Sequence, residues 1–444
     1  MGITIIQKSD LAEACPSHTK ALILAGGAVT GGSFKAGGIK ALNDYLVDSS
    51  INDFDIFVGI SSGSLIAAPL VGGISPESIL KSLDGTSSHF TRLTAWHYYR
   101  PNWAEFVGRP IKFMINAARW LPHRLLSRGA ISDGILAAAW QFVSHPSLES
   151  YDQMMERVFI SFGEGLPSLL ALLPSGIFDN RPIEGYVRGN IERNHLTNDF
   201  CETFRLTGKR LYISAMRLDD AKRVVFGPDE DRSTTISQAI QASTAMPGFY
   251  KPARINGVDY VDGGVQETAN IEVAVRKGAR LIVCYNPFRP SDPDEFVHGF
   301  SKQAKGERLA ASSVLALLSQ IFRAFFHARL HVQLDHFRKS PGFKRDIILI
   351  EPSAKDVAFF DLNPLSLRNR IKAARLGFES VRDSIEDQFD EIQGIMAAYG
   401  MHMSRAGVEK KYHKLIKPAV SENEIQALLE GRRGIKRSGV GRGR

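Results

Sequence analysis

Phe57-Val58-Gly59-Ile60-Ser61-Ser62-Gly63-Ser64 decides how this chain is read. It is a G-x-S-x-G pattern at the end of a short apolar run, Asp55-Ile56-Phe57-Val58, which the pattern predicts to be a strand. Serine is a weak nucleophile until the backbone presents it, and a sharp strand-to-helix turn does so by holding it in a strained conformation. Only small residues two positions away leave room for that turn, and here they are Gly59 and Gly63. Leu65-Ile66-Ala67-Ala68-Pro69-Leu70 then reads as a helix able to pack on the sheet.

Two further stretches give the serine its context. Upstream, Ala21-Leu22-Ile23-Leu24-Ala25 reads as a buried parallel strand running into Gly26-Gly27-Ala28-Val29-Thr30-Gly31-Gly32. Ile39, Leu42 and Leu46 follow at helical spacing. A glycine-rich strand-to-helix loop aims several N–H groups at one place, and the helix N-terminus adds positive potential. Such a loop can hold a phosphate or the oxyanion of a tetrahedral intermediate. The dinucleotide fingerprint fails, because Ala28 stands at its second glycine, and there is no Walker lysine. Far downstream, Gly257-Val258-Asp259-Tyr260-Val261-Asp262-Gly263-Gly264 reads as a hairpin strand ending in Asp-Gly-Gly. Its carboxylate can project into a cleft; a lone D-G-G is more often an ordinary Asx turn.

In this order the three stretches resemble the patatin-like phospholipases, which carry a glycine-rich oxyanion loop, a G-x-S-x-G serine and a D-G-G/A aspartate. Pro174-Ser175-Gly176-Ile177-Phe178-Asp179-Asn180 and Ala242-Ser243-Thr244-Ala245-Met246-Pro247-Gly248-Phe249 are also similar to family segments. The likeness covers roughly residues 20–290 and continues more weakly through Asn363-Pro364. It implies a three-layer α/β/α fold with a predominantly parallel central sheet. It also implies Ser61 as nucleophile, Asp262 as the base acting without a histidine, and an oxyanion hole from Gly26, Gly27, Ala28 and Gly31. Gly263 and Gly264 complete the aspartate motif. The chain departs from the family in two places. Ala28 replaces a third glycine, and the usual loop Arg or Lys aligns with Thr30 or Gly31. After D-G-G, Thr268-Ala269-Asn270 stands where Asn-x-Pro is common.

Composition agrees with a globular enzyme: 44% hydrophobic and 23% charged residues over 444 positions. The sequence divides into an N-terminal extension (1–19), the hydrolase domain (20–290), a mainly helical C-terminal extension (291–430) and a basic tail (431–444). Within the domain, residues 80–175 read as a helical insertion or cap holding all four tryptophans, Trp96, Trp103, Trp120 and Trp140. No uninterrupted apolar stretch reaches membrane-span length, and no signal-peptide core is evident. Three cysteines form neither a metal spacing nor a disulfide framework, so a cytoplasmic, reducing setting is expected, with peripheral contact to a membrane or lipid aggregate. The last thirteen residues supply six of the eight net positive charges. That arm suits anionic lipid; nucleic acid is the less favoured partner, and oligomeric state is left unassigned. Val314, Leu318, Ile321, Phe325, Ala328 and Val332 make a helical stripe in a long C-terminal helix. His327, His331 and Asp335 lie off it at four-residue intervals, yet ordinary surface histidines are commoner, so neither metal nor cofactor is expected.

The expected function is hydrolysis of a carboxylic ester of a lipid, foremost a phospholipid acyl chain. Other apolar esters (triacylglycerol, acyl thioester, storage polyester) and a catalytically weak lipid-binding protein stay open alternatives. A Ser-Asp-His hydrolase would need a histidine after Asp262, and the nearest is His298.

Overall fold

The computed structural model describes residues 2–126, 132–163, 172–290, 314–406 and 408. They form two compact units, one of residues 1–99, 180–246 and 252–444, the other of 100–179 and 247–251.

The first unit is built on a nine-stranded mixed sheet. Its parallel centre runs β11 (Asp346–Ile350), β10 (Leu281–Tyr285), β2 (Lys20–Leu24), β3 (Ile56–Gly59), β5 (Arg210–Arg217). These strands are apolar without alternation because both faces are covered; Ile23, Leu24, Ile56, Phe57 and Ile213 are inaccessible to solvent. Antiparallel strands close the edges: β1 (Ile3–Ile6) on β11, and β9 (Val258–Asp262) with β8 (Ala253–Ile255) beyond β5. The segments expected as an N-terminal extension and a helical C-terminal extension therefore each contribute a strand to the central sheet. The basic tail and residues 291–313 lie outside the described residues.

Register explains how distant residues meet. β6 (Arg223–Phe226) takes one edge of β5 and pairs Ile213 with Phe226 and Ala215 with Val224. On the opposite edge β3 pairs Gly59 with Ile213, whereas β9, running the other way, pairs Asp262 with Ala215. The C-termini of β3 and β9 thus approach head-on along one strand. After β2 the chain turns into α1 (Ala28–Tyr45), and after β3 into α2 (Ser64–Val71). Small residues let α1 cross the helix Arg370–Glu386 at backbone contact: a Cβ on Gly37 would sit 1.8 Å from the Ala374 carbonyl oxygen, and one on Gly377 1.9 Å from that of Phe34.

The second unit carries the helices Trp103–Leu126, Ser132–Ser144 and Leu148–Gly163, with a two-stranded parallel sheet of β4 (Gly176–Phe178) and β7 (Gly248–Tyr250). Three of the four tryptophans fall here, and Trp96 belongs to the first unit.

Candidate active site

Ser61 follows β3 in a left-handed conformation, φ 51°. A non-glycine residue there stores of order 1–2 kcal/mol of strain, tolerated where the surroundings over-determine it. Three constraints do so. The Ser61 N–H donates to Ser243 Oγ at 2.8 Å, and Ser64 Oγ donates to the Ser61 carbonyl at 2.6 Å. The third is Gly63, where a Cβ would lie 2.0 Å from the Leu24 carbonyl oxygen, so no other residue lets the turn close against β2.

Asp262 ends β9 and is nearly buried. One carboxylate oxygen accepts the Gly264 N–H at 2.8 Å, the Asx-type turn expected of D-G-G. Burial raises its carboxyl to about 6, against the opposing pull of a hydrogen bond from the Ser61 side chain, the Gly264 N–H and the charge of Lys35. The structure thus brings Ser61 and Asp262 together across about two hundred residues of chain. Arg329, on the helix Val314–Lys339, fastens the loop behind them: its guanidinium donates to the Gly264 and Val265 carbonyls and to Thr268 Oγ1. Asn270 sits at φ 53° and holds Ser214 Oγ, so this loop is fixed by contacts that its unusual Thr-Ala-Asn sequence does not advertise.

The glycine loop lies against the serine, since a Cβ on Gly26 would be 3.5 Å from Ser61 Cβ. Its N–H groups fall into two classes. Those of Val29 and Thr30 donate to the Pro364 carbonyl, and that of Gly31 donates to the Gly27 carbonyl at 2.9 Å as the first turn of α1. Those of Gly26, Gly27 and Ala28 have no acceptor among the described residues. The expected donor set therefore loses Gly31, whose N–H the helix consumes. Ala28, in the place of the missing glycine, adopts φ 51° and so keeps the left-handed geometry at the cost of strain.

Lys35 is the residue that sequence reading passed over. It lies in α1, is wholly inaccessible, and turns back to the loop: Nζ donates to the Ala25 carbonyl, to the Gly26 carbonyl at 2.9 Å and to Ser62 Oγ at 3.2 Å. Burial brings its ammonium down to about 7, opposed by the charge of Asp262 and, less, by Cys284. A lysine within the apolar stretch Ser33-Phe34-Lys35-Ala36 was the available signal.

An apolar cavity of about 180 Å³ opens from this point within the first unit, lined by Ala28, Ser62, Leu65, Leu83, Phe90 and Ile183 among others. Cation ligands converge elsewhere. His327 and His331 both face Glu351 Oε2, at 3.7 and 2.9 Å, and these three form the one group of metal-ligand type among the described residues. Asp335, expected as their companion, instead pairs with Arg338. The Glu351 hydrogen bond raises the His331 pKa, burial lowers that of His327, and Asn286 occupies the other Glu351 oxygen at 2.8 Å. Both Glu351 oxygens therefore already have hydrogen-bond partners within the fold.

Comparison with known proteins places these features in a family. The profile of the patatin-like phospholipases matches residues 22–275. The uncharacterized protein YjjU of Escherichia coli K12 is 27% identical over 170 residues, 38% of this chain and 43% of that one. Probable lipid hydrolase 463L of Invertebrate iridescent virus 6 is 22% identical over 263 residues, 59% of this chain and 65% of that one. The chain thus spans less than two thirds of either relative. Among solved structures, VipD from Legionella pneumophila shares 17% identity with a TM-score of 0.35, covering 87% of this chain and 70% of that one. Human GIVD cytosolic phospholipase A2, solved with methyl gamma-linolenyl fluorophosphonate, shares 11% with a TM-score of 0.30, covering 86% and 60%.

Proposed function

The chain belongs to the patatin-like phospholipase family, and from that premise we propose that it hydrolyses carboxylic esters of lipids through a Ser61–Asp262 dyad. One observation carries this reading: a strained, nearly buried serine just past β3 faces, along the shared edge of β5, a buried carboxylate whose pKa is lifted to about 6. A carboxylate of ordinary pKa is a poor base for a hydroxyl; desolvation strengthens it toward the working pH. Ser61 Oγ attacks the acyl carbonyl while its proton passes to Asp262. Negative charge develops on the former carbonyl oxygen, beside the free N–H groups of Gly26, Gly27 and Ala28. Collapse expels the alcohol, which takes the proton from Asp262 and leaves an acyl-serine. Water, deprotonated by the same carboxylate, then releases the acid. Losing one oxyanion donor in such a site raises the barrier by roughly 3 kcal/mol.

The apolar cavity beside Ser62 supports a fatty acyl substrate. Adsorption to the lipid surface is assigned to exposed apolar side chains of the second unit, Trp103, Met114 and Trp140, and to the basic tail. No helix of the described residues is long and apolar enough to cross a membrane. Turnover of a short-chain soluble ester tests the dyad free of adsorption. Ser61→Ala and Asp262→Asn are each expected to abolish it in a folded protein, and the double variant to lose no more than either. Substantial turnover by either single variant would refute the assignment.

A further inference from the structure

We propose that Lys35 is the positioning residue of the oxyanion loop, supplying from behind the peptide plane the cation that the loop sequence lacks. This rests on the dyad reading and extends it to a residue that touches neither substrate nor nucleophile.

The geometry argues the case. Across a trans peptide the carbonyl of one residue and the N–H of the next point in opposite directions. Lys35 Nζ holds the carbonyls of Ala25 and Gly26, so the N–H groups of Gly26 and Gly27 are turned to the far side. Those two, with Ala28, are the loop N–H groups left without an acceptor among the described residues. The ammonium fixes their direction and polarises each peptide, making both better donors to a developing oxyanion. Side chains in a helix tilt toward its N-terminus, which is how a lysine in the second turn of α1 reaches back to the loop.

A cation here is otherwise hard to justify. The N-terminal end of a helix repels positive charge, and full burial removes its hydration. Its other contact, Ser62 Oγ, is neutral. The titratable groups facing Lys35 are Asp262 at the end of β9 and Cys284 on β10. Burial raises the Cys284 thiol far above its ordinary range, so Asp262 is the only counter-charge among the described residues. During attack that charge moves: the Ser61 proton neutralises Asp262 while the oxyanion becomes negative on the other side of the loop. One buried cation is thus placed to serve the carboxylate before the step and the oxyanion during it. The gain falls on the transition state, so kcat is the parameter it controls.

The test uses the full chain, a neutral soluble ester and the variants Lys35→Met, Lys35→Arg and Ser61→Ala. Lys35→Met is expected to lose about 100-fold or more in kcat with KM within about threefold. In the wild type, kcat should fall along an alkaline limb below the ordinary lysine value of 10.5, as the ammonium deprotonates. Lys35→Met should lack that limb, and its acid limb should move to higher pH because Asp262 loses its stabilising cation. Lys35→Arg should retain activity with the alkaline limb displaced upward. A wild-type kcat flat from pH 7 to above 10 would overturn the proposal without any variant, as would a Lys35→Met enzyme of undiminished kcat. A Ser61→Ala protein that still turned over would instead defeat the dyad reading, whatever Lys35 does.

Discussion

The two units spend their apolar residues differently. In the first, the central residues of strands β2, β3, β5, β10 and β11 are sealed from solvent, and that seal lets the fold hold groups that would not persist elsewhere. A serine and an alanine sit at positive φ, and a lysine and an aspartate are desolvated side by side. In the second unit, the helix Trp103–Leu126 leaves Trp103 64%, Ile111 53% and Met114 68% exposed, and Trp140 on a neighbouring helix is 73% exposed. Burial in one place stabilises strain, and exposure in the other leaves apolar surface for an external phase. Deep burial and chemistry go together in the first unit; adsorption is the use that fits the second.

The sharpest way to break this contrast is a matched pair of glycines. Gly63→Ala places a methyl 2.0 Å from the Leu24 carbonyl oxygen and is expected to cost more than about 4 kcal/mol, or prevent folding. Gly108→Ala, in the helix Trp103–Leu126 with nothing within 4 Å of the added atom, should stabilise by up to about 1 kcal/mol. Urea melts compare them, and similar values would show that the elbow is not sterically fixed.

Next in size is the charge kept in the first unit. Asp262 has a folded pKa of about 6 against 3.8 in an open chain, so the native state binds its proton more tightly than the unfolded state does. Stability is therefore lost as pH rises from about 4 to 6, and the loss is complete above that window. Asp262→Asn, inactive but uncharged, should exceed the wild type by of order 2 kcal/mol at pH 8 and match it near pH 4. Equal stability at both pH values would mean that the carboxylate is not desolvated.

Smaller is the strain at Ala28. Replacing it with glycine removes a left-handed penalty of about 1–2 kcal/mol and adds roughly 0.5–1 kcal/mol of unfolded-chain entropy, for a net gain of at most about 1.5 kcal/mol. A lower melting temperature would contradict it. Smallest in stability, yet most informative about the second unit, is Trp103→Gln with Met114→Gln. Stability should stay within about 0.5 kcal/mol, while co-sedimentation with neutral lipid vesicles falls at low and high salt alike, since apolar transfer is not screened. Truncation after Glu430 should instead weaken binding to anionic vesicles steeply in salt. Unchanged sedimentation of both variants would leave the surface without that use.

Much of this was legible because parallel strands buried on both faces leave a distinctive record. β2 and β3 fall within one residue of the strands expected at Ala21–Ala25 and Asp55–Val58. The G-x-S-x-G and D-G-G stretches meet in space because β3 and β9 share one edge of β5, a fact of register that local sequence does not encode. β1 and β11 escaped notice: three or four apolar residues within polar surroundings do not declare which sheet they will join. The long helix was legible, but its packed face was not. Ile321, Phe325 and Val332 of its expected stripe are exposed, and the packed face is Phe326, Leu330, Leu334 and Phe337, turned by about one position. Two interleaved apolar stripes on one helix are separable only when the partner surface is known. Lys35 and Ser243 were hidden for the opposite reason: their importance lies in backbone groups they hold, which no side-chain pattern displays.

The measurement closest to the centre is the rate and site of labelling by an active-serine fluorophosphonate, read by peptide mass spectrometry at pH 7.5. A single adduct on Ser61 is expected in the wild type, none in Ser61→Ala, and labelling slowed at least 100-fold in Asp262→Asn. An adduct on another residue, or an Asp262→Asn protein labelled as fast as the wild type, would contradict a buried carboxylate that activates a strained serine.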